Sequence, residues 1–205
     1  MATYKGIQGY SVQTLASDPG TLSEVEGQLW YNSTVGSYKI AVGTAGAWAS
    51  GTAMSTVRSG TGGAGTTPAG LQAGGRISPS ADTQNTEIWN GSSWTEVNNM
   101  VSAKDSMGMT GTSTAALTAG GQNIAGTSGT TSETWNGTSW SEGNNINTAR
   151  RTNMALTGVT TAGIFFGGYP AVAITEEYNG TCWAEENDLN TARTFGASAG
   201  TTTAA

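Results

Sequence analysis

Short runs of alternating apolar and polar residues, broken every few positions by Gly, Asn or Thr, extend along the whole chain, and no stretch sustains a helical period. In residues 154–168, MALTGVTTAGIFFGG, small side chains lead into Gly-Gly, as expected of a strand whose backbone is closely approached. In residues 131–142, TSETWNGTSWSE, an aromatic run and a Trp run flank Asn-Gly, a pair that readily takes the two positive φ values of a type I′ turn. Strands paired as hairpins are predicted throughout, and the frequent Gly, Thr and Asn weaken any helix.

The hairpin phrase recurs. TEIWNGSSWTEVNNMVSAK spans Thr86 to Lys104, TSETWNGTSWSEGNNINTAR spans Thr131 to Arg150, and TEEYNGTCWAEENDLNTAR spans Thr175 to Arg193. Trp94, Trp140 and Trp183 are 46 and 43 apart, as are Lys104, Arg150 and Arg193, while Gly74-Gly75, Gly120-Gly121 and Gly167-Gly168 recur at 46 and 47. A fixed period of this size means an array of similar small units. Each has one plan, with about four strands: a small-residue segment ending in Gly-Gly, a variable link, an aromatic strand, a Trp strand, and a polar tail ending in a cation.

A degenerate copy begins at Gln28, with Trp48 and Arg58 each 46 before their counterparts; it lacks Thr-Glu and Asn-Gly and predicts a hairpin of QLWYNS with YKIAVG. The domain organisation is therefore an N-terminal extension, residues 1–27, and a repeat domain, residues 28–205, with units near 28–58, 59–104, 105–150 and 151–193. The extension carries the turn signal Asp18-Pro19-Gly20 and one short strand near Gly6 to Gln13. It reads either as an anchor on another protein or as a strand packed on its own domain. Residues 194–205 repeat the start of a unit, so they are expected to supply the inner strand of a fourth sheet whose outer strands come from residues 28–50. The competing expectation is the front part of a longer repeat array with open edges.

Composition narrows the function classes. Eight Lys and Arg against 14 Asp and Glu, net −6, argue against a nucleic-acid partner, which needs clustered cations. With charged residues at only 11 %, disorder is the competing reading, but seven Trp at fixed offsets speak for a folded β protein. No apolar run is long enough for a membrane-spanning helix, and MATYKGIQGY lacks the apolar core of a signal peptide. His is absent, which excludes Ser-His-Asp and Cys-His catalysis and His-based metal sites. Cys182 stands where other units carry Ser93 and Ser139 and reads as a small strand residue. No cofactor is expected.

The residues Gly74, Gly75, Trp89, Trp94 and Lys104, then Gly120, Gly121, Trp135, Trp140 and Arg150, then Gly167, Gly168, Tyr178, Trp183 and Arg193, form a pattern that resembles the kelch repeat. That resemblance implies a β-propeller with one four-stranded blade per unit. The fold class expected is all-β, a kelch-like propeller of four blades closed by both termini, or an open propeller segment. The phrase T-E-x-Y/W-N-G-T-S-W … N-T-A-R, with the opening DPGTLSEVEGQLWYNST, is also similar to Gly/Thr-rich repeat proteins of marine phages. This implies a virion structural protein of the tail or tail-fibre type, located on the particle in multiple copies or as a homo-oligomer. Its implied partners are other virion proteins, met through residues 1–27, and a host-surface glycan. A capsid decoration protein and a carboxylate-based glycan hydrolase are the other two readings.

Candidate site residues follow from what repeats and what does not. Glu87, Glu133 and Glu176, and likewise Glu96, Glu142 and Glu185, recur at 46 and 43. Paired carboxylates suit glycoside hydrolysis or Ca²⁺, but a residue present in every unit more often serves the unit itself, by pairing with Lys104, Arg150 and Arg193 or by facing solvent. The repeating Trp are expected to staple neighbouring units. Binding is instead assigned to non-repeating aromatics, Trp30, Tyr31 and Tyr169, and to the links GRISPSADTQN, GQNIAGTSGTT and GYPAVAI, with Arg76, Asp82, Gln122, Asn123 and Pro170. These links occupy one place in each unit and are expected to gather on one rim.

Overall fold

The computed structural model describes residues 13–16, 29–40, 51–151, 156–194, 196 and 198–200, which are all strand, turn or irregular structure with no helix. The chain divides into two compact units, Met1–Ser50 and Gly51–Ala205.

In the first unit, β1 (Gln13–Leu15) runs parallel to β2 (Leu29–Asn32), which pairs antiparallel with β3 (Ser37–Ile40). The expected hairpin is present, and it keeps the chemistry of the later copies despite its different sequence. The Asn32 carboxamide oxygen accepts from the Thr34 and Val35 amides at 3.0 and 3.1 Å, and the Tyr31 and Tyr38 rings lie 5.1 Å apart. Gln13 is in β1, whereas the rest of the expected strand, residues 6–12, lies outside the described residues.

The second unit holds three four-stranded antiparallel sheets built to one plan. The first combines β4 (Gly62–Thr66), β5 (Ala69–Ala73), β8 (Thr86–Trp89) and β9 (Trp94–Val97) in that order; the link between β5 and β8 forms its own small hairpin, β6 (Arg76–Ser78) with β7 (Ala81–Asp82). The second sheet is β10 (Gly108–Gly111), β11 (Ala116–Ala119), β12 (Ser132–Trp135) and β13 (Trp140–Glu142). The third is β14 (Leu156–Val159), β15 (Ala162–Phe166), β16 (Thr175–Tyr178) and β17 (Trp183–Glu185). The predicted four strands per unit are all there. GTGGAG, residues 60–65, enters β4 as strand backbone.

One local expectation changes. The connection from Trp89 to Trp94 has four residues, and of Asn90 and Gly91 only Gly91 has positive φ, so it is not a type I′ turn. The Asn90 side chain makes the difference: its oxygen accepts from both the Ser92 and Ser93 amides at 2.9 Å, and Asn136 and Asn179 repeat this in the other sheets. An Asx turn closed by a side chain replaces a turn closed by backbone alone.

Two cores lie between the sheets. Leu71 and Ala73 pack with Met100, Met107, Met109, Trp135 and Trp140; Leu117 and Ala119 pack with Ile146, Leu156, Phe165, Tyr178 and Trp183. Close approach of the inner strands needs glycine: a Cβ on Gly108 would come within 2.8 Å of the Leu156 Cβ. Strand β10 lies against both β4 and β14, and the Thr110 hydroxyl donates to the Gly158 carbonyl at 2.8 Å. One repeat on, the Thr157 hydroxyl donates to the Gly200 carbonyl at the same distance, and the Ser198 hydroxyl donates to the Leu156 carbonyl. Residues 198–200 thus make to β14 the contact that β14 makes to β10. Residues 41–50 and 201–205, on which the expected completion of that fourth sheet turns, lie outside the described residues.

The Trp residues staple neighbouring sheets as expected, but unequally. The Trp140 indole N–H donates to the Thr86 hydroxyl of the preceding sheet at 3.0 Å, whereas the buried Trp183 N–H has no partner among the described residues, and Ser132, at the place of Thr86, donates to the Asn144 carbonyl. Replacing Trp140 by Phe forfeits a hydrogen bond that Trp183→Phe does not. Trp140→Phe is therefore expected to destabilise the chain by about 1 kcal/mol more than Trp183→Phe in urea unfolding.

Candidate functional site

The recurrent glutamates are interior. Glu87, Glu133 and Glu176 are 1 %, 0 % and 0 % exposed, at the centre of the third strand of each sheet. Each pairs with the cation that closes the tail before its sheet: Arg58 with Glu87 at 3.1 Å, Lys104 with Glu133 at 3.3 Å, and Arg150 with Glu176. The carboxylates also accept backbone amides from those tails, Ser55 for Glu87 at 2.8 Å, Val101 and Ser102 for Glu133 at 2.8 and 3.2 Å, and Asn147 and Thr148 for Glu176 at 2.6 and 3.3 Å. The sequence pairing of Glu87, Glu133 and Glu176 with Lys104, Arg150 and Arg193 is thereby shifted by one unit. Arg193 is exposed and has no acidic partner among the described residues.

The Gly-Gly doublets are what let the tails dock. The Gly75, Gly121 and Gly168 amides donate to the carbonyls of Lys104, Arg150 and Arg193 at 2.9, 3.0 and 2.8 Å. A side chain on Gly74, whose φ is +61°, would bring a Cβ within 2.7 Å of the Lys104 carbonyl. Glu96, Glu142 and Glu185 face Glu87, Glu133 and Glu176 across the strand pairs but are exposed.

The links after the Gly-Gly doublets carry the variable chemistry. Backbone bridges join Ser59 to Arg76, Asp105 to Gln122 and Arg151 to Tyr169, each pair at the same place in its unit. Their side chains differ. Arg76 holds Asp82 at 3.0 Å and Asp105 at 2.7 Å, and Gln122 donates to Asp105 at 2.7 Å, so three of the expected binding residues join one polar network across two units. The Asp82 Oδ2 and Gln122 Oε1 atoms are buried without a hydrogen-bond partner. Asn123 is exposed and folds its own loop, accepting the Ala125 and Thr127 amides at 3.1 Å. Tyr169, 47 % exposed, lies under the Arg151 guanidinium at 4.3 Å from its ring centroid, and Pro170 is exposed beside it. Trp30 and Tyr31 belong to the other compact unit, where Trp30 stands opposite Lys39 in the β2–β3 ladder.

Asp105 and Arg151 are rim residues that the sequence reading passed over. Their signal was in the spacing: they directly follow the recurrent Lys104 and Arg150, yet differ from each other and from Ser59.

Two openings are bounded by these elements. One, of about 500 Å³, lies along the inner strands and is lined by Thr61, Gln72, Met109, Thr110, Thr157 and Ser198 among others, with no ionisable side chain among the described residues. The other, of about 360 Å³, is lined by Gln122, Asn123 and Lys104. Burial lowers the Lys104 pKa, against the raising influence of Glu133. No family model and no curated protein matches the chain.

Glu133→Gln leaves the Lys104 ammonium buried without its counter-charge and is expected to cost about 3–5 kcal/mol in urea unfolding. The exposed counterpart Glu142→Gln is expected to cost less than about 1 kcal/mol. A second outcome concerns pH. Because folding lowers the Lys104 pKa, the unfolded chain holds more protons between the lowered value and the ordinary lysine value of about 10.4. Stability contributed by Lys104 therefore rises with pH through that window, and unfolding of Lys104→Met followed across it is expected to lose that rise.

Proposed function

We propose that this chain is a phage virion structural protein of the tail or tail-fibre type, with a kelch-like propeller arrangement of its sheets, that binds a host-surface glycan or receptor through its rim. One observation carries the reading: equivalent backbone bridges set the exposed Ser59 beside the partly buried Arg76 in one unit and the partly buried Arg151 beside the exposed Tyr169 in another, while the bridged Asp105 and Gln122 between them are buried. Constant main-chain geometry with changing side chains is the layout of a recognition surface. A tyrosine ring half in solvent with a guanidinium stacked on it suits the faces and hydroxyls of a sugar.

Binding without turnover is the chemistry that the site supports. The glutamates that a carboxylate hydrolase would use are held by ion pairs and amide donors in the interior, and the opening along the inner strands offers no acid or base among the described residues. Residues 1–27 serve in this reading as the attachment to other virion proteins.

The test is a density map of purified particles with this chain traced in it. Density at the tail with Tyr169 and Asn123 outward is expected; density spread over the capsid shell means decoration and overturns host recognition. In parallel, Tyr169→Ala and Arg151→Ala are expected to reduce binding of the purified chain to host cells about tenfold each, with unfolding midpoints unchanged.

A further inference from the structure

The cations that hold the buried glutamates are not equivalent. Arg150 donates to the Thr148 and Phe165 carbonyls at 3.1 Å each as well as to Glu176, and Arg58 donates to the Asn85 carbonyl at 3.1 Å as well as pairing with Glu87. Lys104 stands at the same place in its unit with a single ammonium. That ammonium reaches Glu133 at 3.3 Å, the Thr131 hydroxyl at 3.3 Å and the Thr131 carbonyl at 3.5 Å, all longer than the about 2.7–2.9 Å of a good charge-assisted bond. A guanidinium fork satisfies several acceptors at once, whereas the compact ammonium here keeps donor capacity in hand.

The opening of about 360 Å³ lies at this ammonium, since Lys104 and its partner Thr131 both line it. The rest of its wall brings hydroxyls from Ser102, Thr127, Ser128 and Thr130 and carboxamides from Gln122 and Asn123. Gln122 supplies an independent observation. It is 9 % exposed, its Nε2 is taken by Asp105, and its Oε1 is buried without a hydrogen-bond partner among the described residues. Turning the carboxamide over would set Oε1 against the Asp105 carboxylate, so the oxygen is the end left needing a donor. Charge then selects the ligand. The wall holds no acid among the described residues, and the Lys104 charge is matched by Glu133. A cationic ligand meets only Lys104, and an anionic one draws the ammonium from a buried carboxylate that is left without its counter-charge.

We propose that this opening is a binding site for one neutral sugar residue, with a hydroxyl oxygen of the sugar accepting from the Lys104 ammonium and its other hydroxyls bonding to Ser128, Thr130 and Gln122. A neutral polyol both donates and accepts, which matches a wall of hydroxyls, carboxamides and one ammonium without adding a charge. The volume is at the small end of ligand pockets and suits a single ring. Tyr169 and Arg151 are not among the residues that line this site, and it does not rest on the virion reading.

The probes are the methyl glycosides of glucose, galactose and mannose, with glucuronate and sulfate as anionic arms, each titrated into the full-length chain and followed by ligand-observed NMR. At least one neutral sugar is expected to bind, and Lys104→Arg to weaken it about tenfold or more. Arg58 and Arg150 show that a guanidinium is accommodated at this place, so the Lys104→Arg chain is expected to keep its urea midpoint. Ser128→Ala and Thr130→Val leave the ion pair untouched and are each expected to weaken binding severalfold, whereas Tyr169→Ala leaves it unchanged. The site is overturned if no neutral sugar binds, if binding is indifferent to Lys104→Arg or to both wall variants, or if glucuronate or sulfate binds more tightly than every neutral sugar. Sugar binding lost on Tyr169→Ala but kept on Lys104→Arg also overturns it, and leaves the rim reading standing. Sugar binding that follows Lys104 while Tyr169→Ala leaves cell binding intact sinks the rim reading alone.

Discussion

The second compact unit depends on a buried ion pair made between sheets rather than within one. A carboxylate at the centre of Glu133's strand is costly to bury, and its cost is offset only when the preceding tail brings a cation and two amide donors to it. The tail in turn has no strand of its own and gains its shape by satisfying that carboxylate. Neither element is complete without its neighbour, so the pairing fixes the order and spacing of the sheets. The apolar cores between sheets add most of the favourable area, but Met, Leu and Ile surfaces alone tolerate sliding; a charge pair with directed hydrogen bonds does not.

Much of the fold was legible because its signals are periodic. The Gly-Gly doublets, Asn-Gly turns and Trp positions announced four short strands per unit, and all appear where the spacing put them. The turn type at Asn90 was misread because the sequence shows only that Asn-Gly favours positive φ; it does not show that the Asn side chain will cap two amides and make one positive φ sufficient. The partner of Glu133 was misassigned for a related reason. A recurrent acid and a recurrent cation of equal period pair equally well within a unit or one unit apart, and only the three-dimensional offset between tail and sheet decides.

The proposed binding surface was half legible. Variable links in a constant frame singled out Arg76, Asp82, Gln122 and Tyr169, yet their partners Asp105 and Arg151 sit in another stretch, at the start of the following unit or beyond the preceding tail. Backbone bridges bring the two stretches together, and no local pattern records a bridge between residues 17 or 18 apart. Asp105 also shows how a rim residue couples units: it receives Arg76 from one sheet and Gln122 from its own.

Because those bridges are made by main-chain atoms, they are indifferent to the side chains that they display. Mutations at Ser59, Arg151 and Tyr169 therefore alter the face without touching what aligns the sheets, while loss of Asp105, buried against Arg76 and Gln122, or drift at Glu87, Glu133 or Glu176 strands polar groups in the interior. Within this one chain the acids, cations and glycines repeat as a lattice while the residues on its edge change from unit to unit. A lineage under pressure to meet new surfaces can spell them there without having to fold anew.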